Sequence, residues 1–381
     1  SNLGGMRSGL MNIRAGKQLG PALLFAVLAL FCVVGSARAQ TIRDLPPPPP
    51  KPTPKPTPPP APKDEDYEVV RVKTSLVMVP VSVVDAAGQP VLGLQKGDFR
   101  IDEEGQTQEV VEIGNPDQVP LDIAILFDVS SSVSQKGFFV FQQKAAASFL
   151  KQVMKPVDRA AVFTITGEPT LVAPLASADA AAATILRIPA ASTPVATAFY
   201  DTVLAAAKYL TGNSADGHRR VVLVISDGDD NISNAVNQTT AEARATQRGE
   251  VTPAAAKVNL DRRRQRAVTD VQRAVQRGDA AFYSINPGGN SIRLNKVSTR
   301  AQNDMQSIAS ATGGTAYVPN NENDLQRVFS EVAAELRGQY LLQYYSNSQA
   351  SGAQFRRIAV SVPTKSELRV RARQGYYPKA K

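Results

Sequence analysis

Tryptophan is absent from the 381 residues, and cysteine and histidine occur once each. One thiol forms no internal disulfide, and one imidazole falls short of the ligand sets of ordinary zinc hydrolases. The cysteine, Cys32, lies in an apolar stretch from Leu19 to Gly35 that follows Arg7, Arg14 and Lys17 and runs into Ala37-Arg38-Ala39. A basic start, an apolar centre and an A-x-A ending predict a secretory signal over residues 1–39. Phe31 stands where a lipoprotein signal needs a small residue before the cysteine. The stretch is short for a span of about 20 residues and contains Pro21. Cleavage is therefore favoured over anchoring, which leaves no transmembrane segment and places the chain outside the cell, in the periplasm or on the cell surface.

The basic excess shrinks on the same reading. Residues 1–40 hold four of the 43 basic residues and none of the 34 acidic ones, so the net charge falls from +9 to +5. Arg262, Arg263, Arg264, Arg266, Arg273 and Arg277 form the densest cluster, spaced among Ala, Val and Gln in a helical pattern. A solvated helix face is expected there. An exported chain rarely meets nucleic acid, so none is expected as a partner; an anionic polymer at the cell surface stays open.

Residues 40–66 are a proline-rich linker, nearly pure proline from Pro46 to Pro62, which favours extended polyproline II. From Val69 to Ile101 apolar residues alternate with polar ones, and turn residues such as Asp85-Ala86-Ala87-Gly88 intervene, the pattern of short antiparallel strands. Between about Val119 and Arg337 strands and helices alternate, which predicts a doubly wound α/β domain. Helices are expected at 136–154, 178–187, 197–210, 262–277, 302–311 and 322–336, with a loop or broken helix near 247–259 around Pro253. The tail returns to strands at 339–345, 355–363 and 368–376. Neither β flank can easily bury a core alone. The expected architecture is thus a mainly parallel α/β domain (117–338) inserted into a split antiparallel β-sandwich built from residues 67–116 and 339–381.

Two apolar runs inside the α/β region end in aspartate. Leu121 to Phe127 leads into Asp128-Val129-Ser130-Ser131-Ser132, and Val221 to Ile225 leads into Ser226-Asp227-Gly228. Such runs suit strands buried on both faces of a parallel sheet, and ligands bind beyond the carboxyl ends of those strands. Carboxylates and hydroxyls gathered at that edge are hard oxygen donors suited to Mg²⁺.

Asp128-x-Ser130-x-Ser132, a downstream threonine and Asp227 resemble the metal-ion-dependent adhesion site of von Willebrand factor A domains. The flanks extend the likeness. Val79-Pro80-Val81-Ser82-Val83-Val84-Asp85 with Gly97-Asp98-Phe99, and Gln339-Tyr340-x-Leu342-x-Tyr344-Tyr345 with Gly375-Tyr376-Tyr377, are similar to the two ends of the VWFA-related family described from acidobacteria. The resemblance implies a metal held by Asp128, Ser130, Ser132, Thr197 and Asp227, with Mg²⁺ as the ion and Mn²⁺ or Ca²⁺ as substitutes. Thr197 is chosen because Thr197-Ala198-Phe199-Tyr200-Asp201 is similar to the family's Thr-x-x-Tyr-Asp helix start; Thr193 is the fallback. It further implies a partner protein, or a glycan, whose exposed carboxylate completes the coordination. Asp229 and Asp230 are expected to enrich the partner-binding rim in negative charge, and Asp201 to cap or pack within its helix.

Catalytic readings fit less well. His218 sits in a polar turn, expected as a plain surface residue, and no G-x-S-x-G occurs. An aspartyl phosphohydrolase would use Asp128 as nucleophile, but its usual second aspartate two residues on is Ser130 here, a poor proton donor near neutral pH. A calcium-hand loop from Asp227 fails at Ile232 and Gln238. The expectation is a non-enzymatic, metal-dependent adhesion module; an envelope scaffold with an incidental metal is the alternative.

Overall fold

The computed structural model describes residues 76–130, 139–191, 193, 195–287, 296–347 and 354–378. The expected signal and linker lie outside them, as does Ser132. All the described residues belong to one unit, which begins at Val70.

The α/β part is built on a six-stranded sheet. Its strands are β5 (Leu121–Asp128), β6 (Arg159–Ile165), β7 (Thr170–Ala176), β8 (Arg219–Ile225), β9 (Ala280–Ile285) and β10 (Ala316–Tyr317), in the order β10-β9-β8-β5-β6-β7. All neighbours run parallel except β7, which pairs antiparallel with β6 at the edge. Every residue of β5 and β8 is buried, as continuous apolar runs in the middle of a two-faced sheet require. Side chains of β5 alternate between two cores. Ile123, Ile125 and Phe127 pack with helices α1 (Phe139–Val153), α2 (Ala178–Ile185) and α7 (Glu322–Gly338). Ala124 and Leu126 pack with α3 (Phe199–Asn213), α5 (Pro253–Arg277) and α6 (Lys296–Thr312). Helix α7 buries Leu325, Val328, Phe329, Val332 and Leu336, the stripe that its 3–4 spacing dictates.

The flanks form two four-stranded antiparallel sheets. One has the order β13-β1-β11-β4, with β1 (Leu76–Val84) and β4 (Val110–Gly114) from the N-terminal flank and β11 (Tyr340–Tyr345) and β13 (Arg369–Ala372) from the C-terminal one. The other, β14-β12-β2-β3, joins β2 (Arg100–Glu103) and β3 (Gln106–Gln108) to β12 (Arg356–Ser361) and β14 (Gly375–Tyr376). Val77, Val79, Val81 and Val83 of β1 share a core with Ile101, Leu342, Tyr344 and Ile358, so each sheet and the core between them need both flanks.

Three sequence expectations need correction. Helix α5 starts nine residues earlier than expected, at Pro253, because Thr252 caps it through the Ala255 N–H and proline occupies its first turn. A separate helix α4 (Thr240–Gln247) precedes it, opened by the capping box of Thr239 and Glu242. Of the arginine cluster, Arg263 and Arg264 are half-buried, with Arg263 bonded to the Val236 carbonyl and Glu242; Arg262, Arg266, Arg273 and Arg277 form the solvated face. His218 is no plain surface residue either. It is half-buried, with Nδ1 3.0 Å from the buried carboxylate of Asp122, which also takes two bonds from Arg159.

The sandwich is cross-linked through Glu103, which is 2% exposed. Its carboxylate accepts from Tyr344 Oη at 2.6 Å, Ser346 Oγ at 2.7 Å, and Arg356 and Tyr376 Oη at 3.3 Å. Removing one member of a buried pair strands the other's charge. Glu103→Ala is expected to lower the unfolding free energy by about 3–5 kcal/mol, and Tyr344→Phe by about 1 kcal/mol, both measured as urea midpoints.

Candidate functional site

Strands β5 and β8 are direct parallel neighbours, with Phe127 opposite Ile225. Adjacent strands lie about 4.8 Å apart, so Asp128 and the pair Ser226-Asp227 emerge side by side at the carboxyl edge. Asp128 is fully buried. One of its oxygens accepts from the Ser130 N–H at 2.8 Å, the other from Ser226 Oγ at 2.5 Å. Ser226 Oγ in turn accepts from the Gly228 N–H at 2.9 Å, which ties the two loops together. Gly228 has φ +74°, and a Cβ there would lie 2.8 Å from the Met305 side chain, so this turn requires glycine.

Burial, followed by the charge of Asp227, pushes the Asp128 carboxyl from its usual 3.8 up to about 6, against the opposing hydrogen bonds of Ser130 and Ser226. Asp229 is raised as well, by burial and then by Asp227. Negative charge is therefore crowded at this edge. Asp227 and Asp229 are half-buried, and Asp229 donates its N–H to Asp227 Oδ1 at 3.3 Å.

Thr197 arrives from a third segment, just before α3. Its N–H donates to Asn231 Oδ1 at 2.9 Å, and its carbonyl accepts the Asn231 N–H at 3.1 Å. The next residue, Ala198, donates its N–H to the Thr166 carbonyl at the end of β6. Thr197 is 4% exposed, whereas Thr193 is exposed. The structure thus gathers Asp128, Ser130, Asp227 and the Thr197 segment along one edge.

Asp230 is not a rim residue. It is 3% exposed, and its carboxylate accepts from the N–H groups of Tyr200 and Ser233 and from Ser233 Oγ, at 2.9, 3.0 and 2.6 Å. It pins the loop after β8 to the first turn of α3. Asp201 accepts from Asn234 N and Nδ2 at 2.9 and 2.8 Å and strengthens the same join. Sequence reading missed Ser226, Asn231 and Ser233 as organisers; the short Asp/Ser/Asn spacing after β8 is the signal that marks such side chain–backbone turns.

Among the described residues no group of three or more His, Cys, Asp and Glu side chains is arranged to hold a metal ion. The donors gathered here differ in kind, carboxylates with hydroxyls, and burial followed by the neighbouring Asp227 charge raises Asp128. Oxygen donors of this type fit Mg²⁺. Acid–base chemistry is poorly provided for: the single imidazole, His218, is at the opposite end of the sheet, with Asp122 near the start of β5.

The model of the von Willebrand factor type A domain matches residues 122–331, more than half of the chain. No curated protein matches. Similar solved structures include a von Willebrand factor type A protein from Catenulispora acidiphila, at 14% identity and TM-score 0.41, covering 70% of this chain and 51% of that one. An aerotolerance-related membrane protein from Bacteroides fragilis is 15% identical with TM-score 0.38, over 57% of this chain and 98% of that one. The PilB minor pilin from Streptococcus sanguinis is 13% identical with TM-score 0.40, over 58% and 62%. Among the described residues no helix is long and apolar enough to cross a membrane.

The Asp230 join makes a stability prediction. Asp230→Ala leaves the buried N–H groups of Tyr200 and Ser233 unpaired and is expected to cost about 2–4 kcal/mol. Chemical denaturation reads that loss; an unchanged midpoint would show that the join is dispensable.

Proposed function

Since this chain belongs to the von Willebrand factor type A domain family, whose membership points to an adhesive or structural module, we propose that it is an exported, metal-dependent binding protein. The observation that carries this reading is the buried Asp128 carboxyl, raised to about 6 beside Asp227. Ser130, Thr197 and Ser132 would hold Mg²⁺ through their hydroxyls, and Asp128 and Asp227 would hold it by charge, directly or through water. The bound ion would supply one open coordination position for an acidic oxygen of a partner protein or glycan.

The chain's own residues orient that site. Ser226 and the Ser130 N–H hold Asp128 in one rotamer, and Asn231 holds the Thr197 backbone. Asp229 stays at the half-buried rim and disfavours a second anion there. The secreted or cell-surface setting of the sequence reading belongs to this proposal, as does a structural role in envelope assembly if capture proves independent of the metal.

Linkage supplies the first test. Asp128 takes its proton near 3.8 when unfolded and near 6 in the fold, so the folded state binds more protons between those values. Stability of the metal-free chain therefore falls as pH rises from about 4 to about 6, by on the order of 3 kcal/mol from this group. Mg²⁺ is expected to restore it, raising the melting temperature more at pH 7 than at pH 5, and Ser130→Ala or Asp128→Asn to reduce that response at least tenfold in Mg²⁺ concentration. Capture of envelope components with and without chelator then separates adhesion from scaffold. Equal thermal shifts in wild type and Ser130→Ala would remove the metal from the proposal.

A further inference from the structure

At the end of the six-stranded sheet remote from Asp128, β8 begins with Arg219 and Arg220, which are 7% and 6% exposed. Arg373, which follows β13 in the sandwich, is 8% exposed. The three line one cavity of about 30 Å³, together with Thr312, Gln339 and Asp279. That volume holds about two waters or one small ion.

The arginines are incompletely matched. Arg219 donates to the carbonyls of Leu336 at 2.7 Å and Pro116 at 3.4 Å and to Gln339 Oε1 at 3.5 Å. Arg220 donates to the carbonyls of Gly278 and Ala215, both at 3.2 Å, and Ser214 at 3.5 Å. All these acceptors are neutral. Arg373 pairs with Asp279 and donates to the Met78 carbonyl at 2.9 Å. The Nε of each of the three is buried with no hydrogen-bond partner, a costly state for a charged donor. Other carboxylates act on them through space, Asp158 and Asp117 on Arg219, Asp216 and Asp122 on Arg220. Asp122 is already engaged by Arg159 and His218, and Asp158 by the N–H groups of Leu121 and Lys155. Burial accordingly lowers Arg219 and Arg220 and pushes Arg373 down to about 10.

We propose that this cavity binds one small inorganic anion of chloride size, held by Arg219, Arg220 and Arg373 where the α/β domain meets the sandwich. Water would satisfy the N–H groups without adding countercharge, whereas a small anion supplies both. Arg219 grips the connections on both sides of the inserted domain, at Pro116 and Leu336, and Arg373 belongs to the sandwich, so the anion clamps the two parts together.

The test is thermal melting of the full chain with chelator present, at constant ionic strength, as chloride or bromide replaces gluconate. A saturable rise of about 3 °C is expected, lost in Arg220→Gln and kept in Arg262→Gln on the exposed face of α5. A general salt effect instead rises without saturation and is equal in both variants, which overturns the proposal. Crystals grown in bromide give a readout independent of variant folding: an anomalous peak between the Arg220 and Arg373 guanidinium groups supports the site, and water density without a peak there refutes it. Because metal is chelated throughout, failure here leaves the Asp128 site untouched.

Discussion

The pairing of β5 with β8 is the constraint on which the site rests. With Phe127 opposite Ile225, two chain segments a hundred residues apart deliver Asp128 and Asp227 to neighbouring positions on one edge. The sheet can hold them there because both strands are buried on both faces by two separate cores, so a slip in register would displace a full set of apolar side chains. Strong packing below the edge thus supports unfavourable electrostatics at it. Asp128 remains buried beside a second carboxylate at a cost that its hydrogen bonds only partly offset.

Charge also organises the joints between the parts. Glu335 of α7, buried at 4% exposure, accepts from Tyr283 of β9 at 3.0 Å and from Arg371 of β13 at 2.7 Å. Arg219 binds the carbonyls of Pro116 and Leu336, just outside β5 and at the end of α7. Glu103 gathers tyrosine, serine and arginine groups from the C-terminal flank. Such groups contribute little net stability when replaced as complete sets, but each is expensive to break singly.

Much of this was legible in the chain as written. The continuous apolar runs of β5 and β8, the 3–4 spacing of α7 and the alternation of β1 each follow from local periodicity, and the inability of either β flank to close a core implied that the two combine. The placement of the candidate residues was legible to the extent that they lie at or just beyond a strand end, as Asp128 and Asp227 do, or just before a helix, as Thr197 does. It was less legible where function depends on which way a loop folds back. Asp229 and Asp230 are adjacent and chemically identical, yet one stays half-buried at the edge and the other is sealed inside, bonded to Tyr200 and Ser233.

Periodicity and composition by themselves determined the classes of structure, the alternation of strands and helices, the near absence of thiol and imidazole chemistry, and the strand ends where carboxylates gather. Only the tertiary structure decided the partners of His218, Arg219, Arg373 and Asp230. The physical reason is range. Hydrophobic period and capping act over a few residues and are written in the local order of side chains. Burial of a charge, by contrast, depends on what distant segments bring to it, and its cost is set by contacts up to a few hundred positions away.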